Sequence, residues 1–302
     1  MIVPVALQLC VLLGQILSLA LLAPFLTDLQ CIVERIMAGR HGPWPGWRWR
    51  QLRGGWRQNT PISSLSWMGL CATLLAGLSL PFASTQIPFH FLSEPLACGL
   101  LLIISSATVW AQALTHAPTR MIQLRLTSSV GALGHDLLFL VSLLTLTGTL
   151  ITVGLPGSAT ITGLLQQRLL QPAPALMGGL VFIAGALLLI LNRRLLSQSW
   201  HEMLISGAEG RHRSLLRYQH DLSAMCWYLL VADLIWPDSI ATATTPPGQL
   251  ALLWCLAAPV KLGLLVILAT AWRMIRPLPS ARLALVLSGA AILLVVAGRL
   301  AA

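Results

Sequence analysis

Three ionisable side chains stand inside long apolar runs: Asp136, Asp233 and Lys261. A charge at the centre of a membrane-spanning helix costs about 2.5 to 3.5 kcal/mol on insertion scales, so such a group invites a function or a partner. His135 adjoins Asp136, and histidine titrates near neutral pH, so the two offer an acid and a base. Neighbours on a helix point about 100° apart and need not share one path. Two chemistries fit these residues. One is an ion pathway through Asp136, His135, Asp233 and Lys261; the other is a structural ion pair, Lys261 with Asp136 or Asp233, that fixes helix packing. Pro259 lies just before Lys261, where it frees a backbone carbonyl and either opens a polar pocket or kinks the helix.

Other reactive residues form no known site. His201, Glu202, His212, His220 and Asp221 share one segment, but their spacing is neither H-E-x-x-H nor a Cys/His zinc pattern. The cysteines Cys10, Cys31, Cys71, Cys98, Cys226 and Cys255 are scattered, without a C-x-x-C pair, so neither a metal site nor a disulfide framework is expected. There is no G-x-S-x-G, no Walker glycine loop and no pair of histidines placed for a haem. No catalytic residue and no resident cofactor is assigned to this chain.

The elements that must hold these residues are set by composition. Of 302 residues 56% are hydrophobic and 9% charged, against about a quarter charged in soluble domains. Apolar runs of spanning length recur near 2–26, 64–84, 95–114, 129–154, 175–192, 223–238, 249–271 and 283–301, which predicts an all-α polytopic membrane protein with about eight transmembrane helices. The first run lacks a basic leader and an A-x-A site, so it is expected to be a retained helix. The chain reads as a single membrane domain, 1–302. Connections 27–63, 115–128, 193–222 and 272–282 hold 16 arginines, whereas the opposite side holds Arg168 and Arg299. By the positive-inside rule the rich loops are cytoplasmic, and both termini lie on the outer, periplasmic side.

The first of these loops opens with "TDLQCIVERIMAGR", apolar at helical spacing, with Thr27 or Asp28 as a start and Gly39 as an end. It continues as "HGPWPGWRWRQLRGGWRQNTP", too rich in Gly and Pro to prolong that helix. Tryptophan with arginine suits a membrane interface or a protein contact. The net charge of +10 does not make nucleic acid a partner, because no nucleic-acid-binding fold accompanies it.

On these spans the chain resembles the membrane subunit shared by respiratory complex I (NADH dehydrogenase subunit 1) and the energy-converting NiFe hydrogenases, including formate hydrogenlyase subunit 4 and hydrogenase-4 component C. Arg40, His41, Gly42, Pro43, Trp49 and Arg50 are similar to the family's first-loop motif, with Trp47 and Gln51 in place of its Gln and Asp. Arg53 or Gly54 stands for its lysine. "SWHEMLISGAEGRHRSLLRYQHDL" has the layout of the family's long loop through Glu202, Gly210, Leu215 and Leu216, and Lys261 matches a lysine in the seventh span. The resemblance implies a bacterial inner-membrane anchor subunit of a redox complex. It would dock a peripheral hydrogenase-like or quinone-reductase-like arm through Arg40, Pro43, Trp47, Trp49, Arg50, Arg53, Trp56, Glu202 and Arg211. Antiporter-like membrane subunits would sit beside it in the lipid bilayer. Iron–sulfur clusters, and a NiFe centre in a hydrogenase, would belong to partner subunits; quinone is left open.

Where the family carries carboxylates this chain has Thr115, Ser128, Gly185 and Asn192, and Asp136 alone keeps its type. That departure bears on proton translocation more than on docking. The alternative is an ion-translocating or transporter-like subunit without a redox arm, for which internal repeats would be expected.

Overall fold

The computed structural model describes residues 2–85, 87, 89, 92–115, 120, 160–163, 165, 198–236, 239–242, 245–275 and a few positions between 286 and 297. The described residues are mostly helical, and extended pairing among them is limited to one bridge, Ser84 with Ala241. The predicted spans 129–154 and 175–192, and with them Asp136 and His135, lie outside the described residues, as does most of 283–301.

α1 (Ile2–Met37) is one helix of 36 residues. The expected restart at Thr27 or Asp28 does not occur. Both side chains are buried, and Asp28 serves another helix instead. Pro24 lies inside α1 and cannot donate to the carbonyl of Ala20; the Tyr218 hydroxyl donates to that carbonyl at 3.3 Å. α1 ends as expected at Gly39, whose φ of 70° permits the closing bonds Gly39 N to Ile36 O and Arg40 N to Arg35 O at 3.0 and 2.8 Å.

α2 (Trp47–Trp56) is a ten-residue helix inside the expected loop 27–63. Glycine and proline fill much of 42–46, but Arg, Gln and Leu, all good helix formers, populate 48–53. The orphan amides at its start are satisfied from α1: Asp28 accepts from Gly46 N and Arg48 N at 2.8 and 2.9 Å.

α3 (Ser64–Ser79) begins with Ser63 accepting from Leu65 N, and its terminal carbonyls Gly77 O and Leu80 O accept from Gln15 of α1 at 3.0 and 2.6 Å. α4 is Pro95–Thr115 and α5 Gln198–Leu204. α6 (Gly210–Ile235) starts well before the predicted span at 223, so part of the expected loop 193–222 is helix. α7 (Pro247–Leu252) passes through a π-helical turn, Leu253–Ala257, into α8 (Ala258–Ile275). The wide turn directly precedes Pro259, whose ring would otherwise press on the preceding turn of an unbroken α-helix.

α6 is the centre, packed by α1, α2, α3, α4 and α8. From Leu222 to Asp233 every side chain is buried. α8 is the reverse, exposing Val260, Leu264, Leu268 and Ile275. Among the described residues three helices are long and apolar enough to cross a membrane: Cys10–Met37, Ala97–Leu114 and Gly248–Ile275. α3 is apolar but shorter.

Candidate functional site

Where α2, α5 and α6 meet, the fold buries an arginine. Arg48 is 2% exposed, because α2 turns its Arg48, Leu52 and Gly55 edge toward the core: the first two are buried, and a Cβ on Gly55 would strike Ser214 of α6. Arg48 Nε and Nη2 donate to the two oxygens of Asp221 at 2.8 and 2.9 Å. Its Nη1 donates to Gln51 Oε1 and Glu202 Oε1 at 2.9 and 3.3 Å. Glu202, on α5, also accepts from Arg217 Nε and Nη2, both at 2.7 Å, and from Arg213 Nη2 at 3.0 Å.

Burial works against the Arg48 charge, but Asp221 and Glu202 outweigh it and hold the guanidinium above its ordinary range. Burial likewise raises the Asp221 carboxyl, while Arg48 and a Thr27 hydroxyl pull it back. With both oxygens accepting from the guanidinium, the pair is read as cation and anion, because a proton on either oxygen would leave a donor without its acceptor. Glu202 is pushed up by burial and pulled down further by Arg217, Arg213 and Arg48, to about 2. Beside them the rings of His201 and His220 stack with centroids 4.1 Å apart. Desolvation and the nearby Arg48 hold His201 down to about 3, and His220 well below its ordinary value. The pair is neutral at physiological pH, with His201 Nε2 against Leu216 O at 3.1 Å.

A polar seam runs along the contact of α3, α4 and α6. His212 Nε2 lies 2.7 Å from Ser66 Oγ and 2.9 Å from Gln112 Oε1. Further along α6, Gln219 Nε2 donates to Ser105 O and Ser105 Oγ at 3.0 and 2.8 Å, and Ser105 Oγ meets Thr73 Oγ1 at 2.6 Å. Gly69 is required here, since a Cβ would strike Thr108 and Gln219. About four turns beyond Gln219, roughly 21 Å along the helix, stands Asp233. Lys261 Nζ donates to Asp233 Oδ1 at 2.9 Å and to Ser239 Oγ at 3.0 Å. Asp233 Oδ2 is buried with no hydrogen-bond partner among the described residues.

The structure therefore brings together Lys261 and Asp233, while Asp136 and His135 fall outside the described residues. It spreads the expected docking residues over two roles. Arg40, Arg50, Arg53 and Trp56 are exposed, and Pro43, Trp47 and Trp49 half-buried. Glu202 is engaged by three arginines, and Arg211 donates to Trp56 O at 3.0 Å, closing the C-terminal end of α2. Sequence alone does not single out Arg48 or Tyr218, nor the role of Asp28. The one available signal is an acid, Asp28 or Asp221, at helical spacing among apolar residues. No family model and no curated protein matches the sequence.

Proposed function

We propose that this chain is a membrane-anchor subunit of a multi-subunit redox complex of the complex I and energy-converting hydrogenase kind, docking a peripheral electron-transfer arm on the surface built by 39–61. The observation that carries the reading is the anchoring of α2. A short, basic, tryptophan-rich helix is fixed at its start by Asp28, at its core by Arg48 on Asp221 and Glu202, and at its end by Arg211. A loop needed for charge sidedness alone requires positive charge near the membrane, not a rigid mount. A preorganised surface lowers the ordering cost of association, and Trp with Arg is the composition of interface hot spots. The exposed set Arg40, Trp44 and Arg57 is what a partner would meet.

Eight spans, periplasmic termini and an inner-membrane location complete the proposal, supported by the arginine partition and by three apolar helices of spanning length. In this reading clusters and active metals reside in the partner chains. Purification of the tagged chain in mild detergent should bring down cluster-bearing subunits, identified by mass spectrometry and an iron–sulfur absorption band. A chain that purifies alone from cells expressing its native neighbours contradicts the reading.

The second reading, an ion-translocating subunit without a redox arm, is favoured by a different observation: the Lys261–Asp233 pair, one oxygen of which has no partner among the described residues, and the buried polar seam beside α6.

A further inference from the structure

Between α2 and α6 lies a cavity of about 600 Å³ lined by Trp49, Arg50, Leu52, Arg53, Trp56 and Tyr218. Its volume falls within the range of small-molecule sites, about 300 to 1,000 Å³. The lining is divided by chemistry. Trp49, Leu52, Trp56 and Tyr218 supply aromatic and aliphatic wall, whereas Arg50 and Arg53 supply two guanidinium groups, and the described lining residues include no carboxylate. Among the described residues neither arginine forms a salt bridge, in contrast to Arg48 in the same helix, which is spent on Asp221 and Glu202. Helical geometry explains the division: 48, 52 and 55 face α6, and 49, 53 and 56 form the adjoining stripe.

The position of the cavity is set by Tyr218, whose hydroxyl reaches Ala20 O, a carbonyl freed by Pro24 within the apolar helix Cys10–Met37. One wall is thus pinned to a helix of membrane-spanning character, and the arginines belong to the basic loop. On that same helix α1 exposes Leu17, Leu21 and Phe25, the surface an acyl chain prefers. Indole and phenol rings sit at headgroup depth in bilayers, and the guanidinium fork matches a phosphate.

We propose that this cavity is a binding site for one anionic phospholipid, its phosphate held between Arg50 and Arg53 and the upper part of an acyl chain against Trp49, Leu52, Trp56 and Tyr218. A soluble anion would use the arginines without the aromatic wall; a neutral amphiphile would use the wall without the arginines. The lipid uses both.

The test is native mass spectrometry of the full-length protein in detergent, titrated with dioleoyl-phosphatidylglycerol and dioleoyl-phosphatidylcholine in equal amounts. One phosphatidylglycerol should be retained in preference to phosphatidylcholine. The exposed pair Arg50→Gln with Arg53→Gln should weaken that retention about tenfold or more. Arg40→Gln with Arg57→Gln, which removes equal charge from the same loop but outside the cavity, should leave it within about twofold. Glycerol phosphate in excess should not displace the lipid. Equal retention of the two lipids, equal loss in the two double variants, or displacement by glycerol phosphate would overturn the proposal. If the Arg50/Arg53 variant proves unstable, Trp56→Ala provides the second measurement, and unchanged retention there also overturns it.

Discussion

Two buried cations divide the molecule. Arg48, at the loop end of α6, has its charge matched by Asp221 on one side and Glu202 on the other, and every oxygen of those two acids accepts at least one bond from an arginine. Lys261, toward the far end of α6, has one carboxylate and one hydroxyl, and the second oxygen of that carboxylate is unpartnered among the described residues. Guanidinium and ammonium account for part of the difference. The planar fork engages two oxygens at once and fixes a geometry; the point charge on a flexible stem engages one oxygen of its acid and leaves the other unmatched. A network whose carboxylate oxygens are all engaged makes a mount, although Arg213 Nε is buried there without a partner among the described residues; a carboxylate with one oxygen unmatched among the described residues offers a place for a proton or an ion.

The largest effect is expected at Arg48. Arg48→Met leaves Asp221 and part of Glu202 buried without their cation, a loss at or above the upper end of the roughly 3–5 kcal/mol seen when a buried pair is broken. The chain should fail to accumulate, or melt far below the parent in detergent, with partial recovery on adding Asp221→Asn. Normal accumulation of Arg48→Met would show that the arginine does not hold α2 in place.

Lys261→Met should cost less, toward the lower end of about 3–5 kcal/mol, because a single carboxyl can become neutral by taking a proton. Lys261→Met with Asp233→Asn should recover most of the melting temperature. A loss as large as that of Arg48→Met, without recovery, would erase the distinction between the two sites.

The histidines sharpen the comparison through pH. His201 and His220 are held below their ordinary value of 6.5 in the folded protein, so the unfolded chain binds more protons as pH falls. Stability should be full above pH 6.5 and decline below it, continuing for His201 until about 3, at about 1.4 kcal/mol per pH unit for each ring. Glu202, held down to about 2 against an ordinary 4.5, adds to the decline only below 4.5. Thermal melts from pH 7 to 5 check this, and His220→Leu should reduce the slope by about half. A pH-independent melt over that interval would show the rings to be charged or solvated.

The smallest effect separates neighbouring glycines of α2. Gly55→Ala meets Ser214 and the Gly210 carbonyl and should lower stability by about 1–3 kcal/mol. Gly54→Ala meets open space and should raise it by up to about 1 kcal/mol. Equal effects would mean that α2 is not seated on α6.

What the sequence discloses here depends on distance along the chain. Apolar runs announce α1, α3, α4 and α8 because each satisfies its backbone bonds locally and shows its hydrophobicity in one window. Charges within such runs mark Lys261 and Asp233, although which acid meets the lysine is decided by the fold. Arg48 is illegible for the opposite reason. In a basic loop an arginine reads as one of many, and its partners lie 173 and 154 residues away. Asp28 reads as the start of a helix it runs straight through, since a carboxylate can cap a neighbouring helix as well as its own. α2 is obscured by the Gly-Pro segment preceding it, and the cavity beside it exists only once Tyr218 arrives from α6.

The mount matters to function if something docks on it, and that can be tested without disturbing Arg48 or the cavity. Arg40 and Trp44 are exposed, Trp44 by 81%, and neither lines the cavity. Arg40→Ala with Trp44→Ala in the tagged full-length chain, purified in mild detergent, should release the peripheral subunits while the chain keeps its parental level and melting temperature; truncating a hot-spot residue typically costs about 2 kcal/mol or more of binding. Retention of the peripheral subunits at parental stoichiometry would contradict docking on this surface.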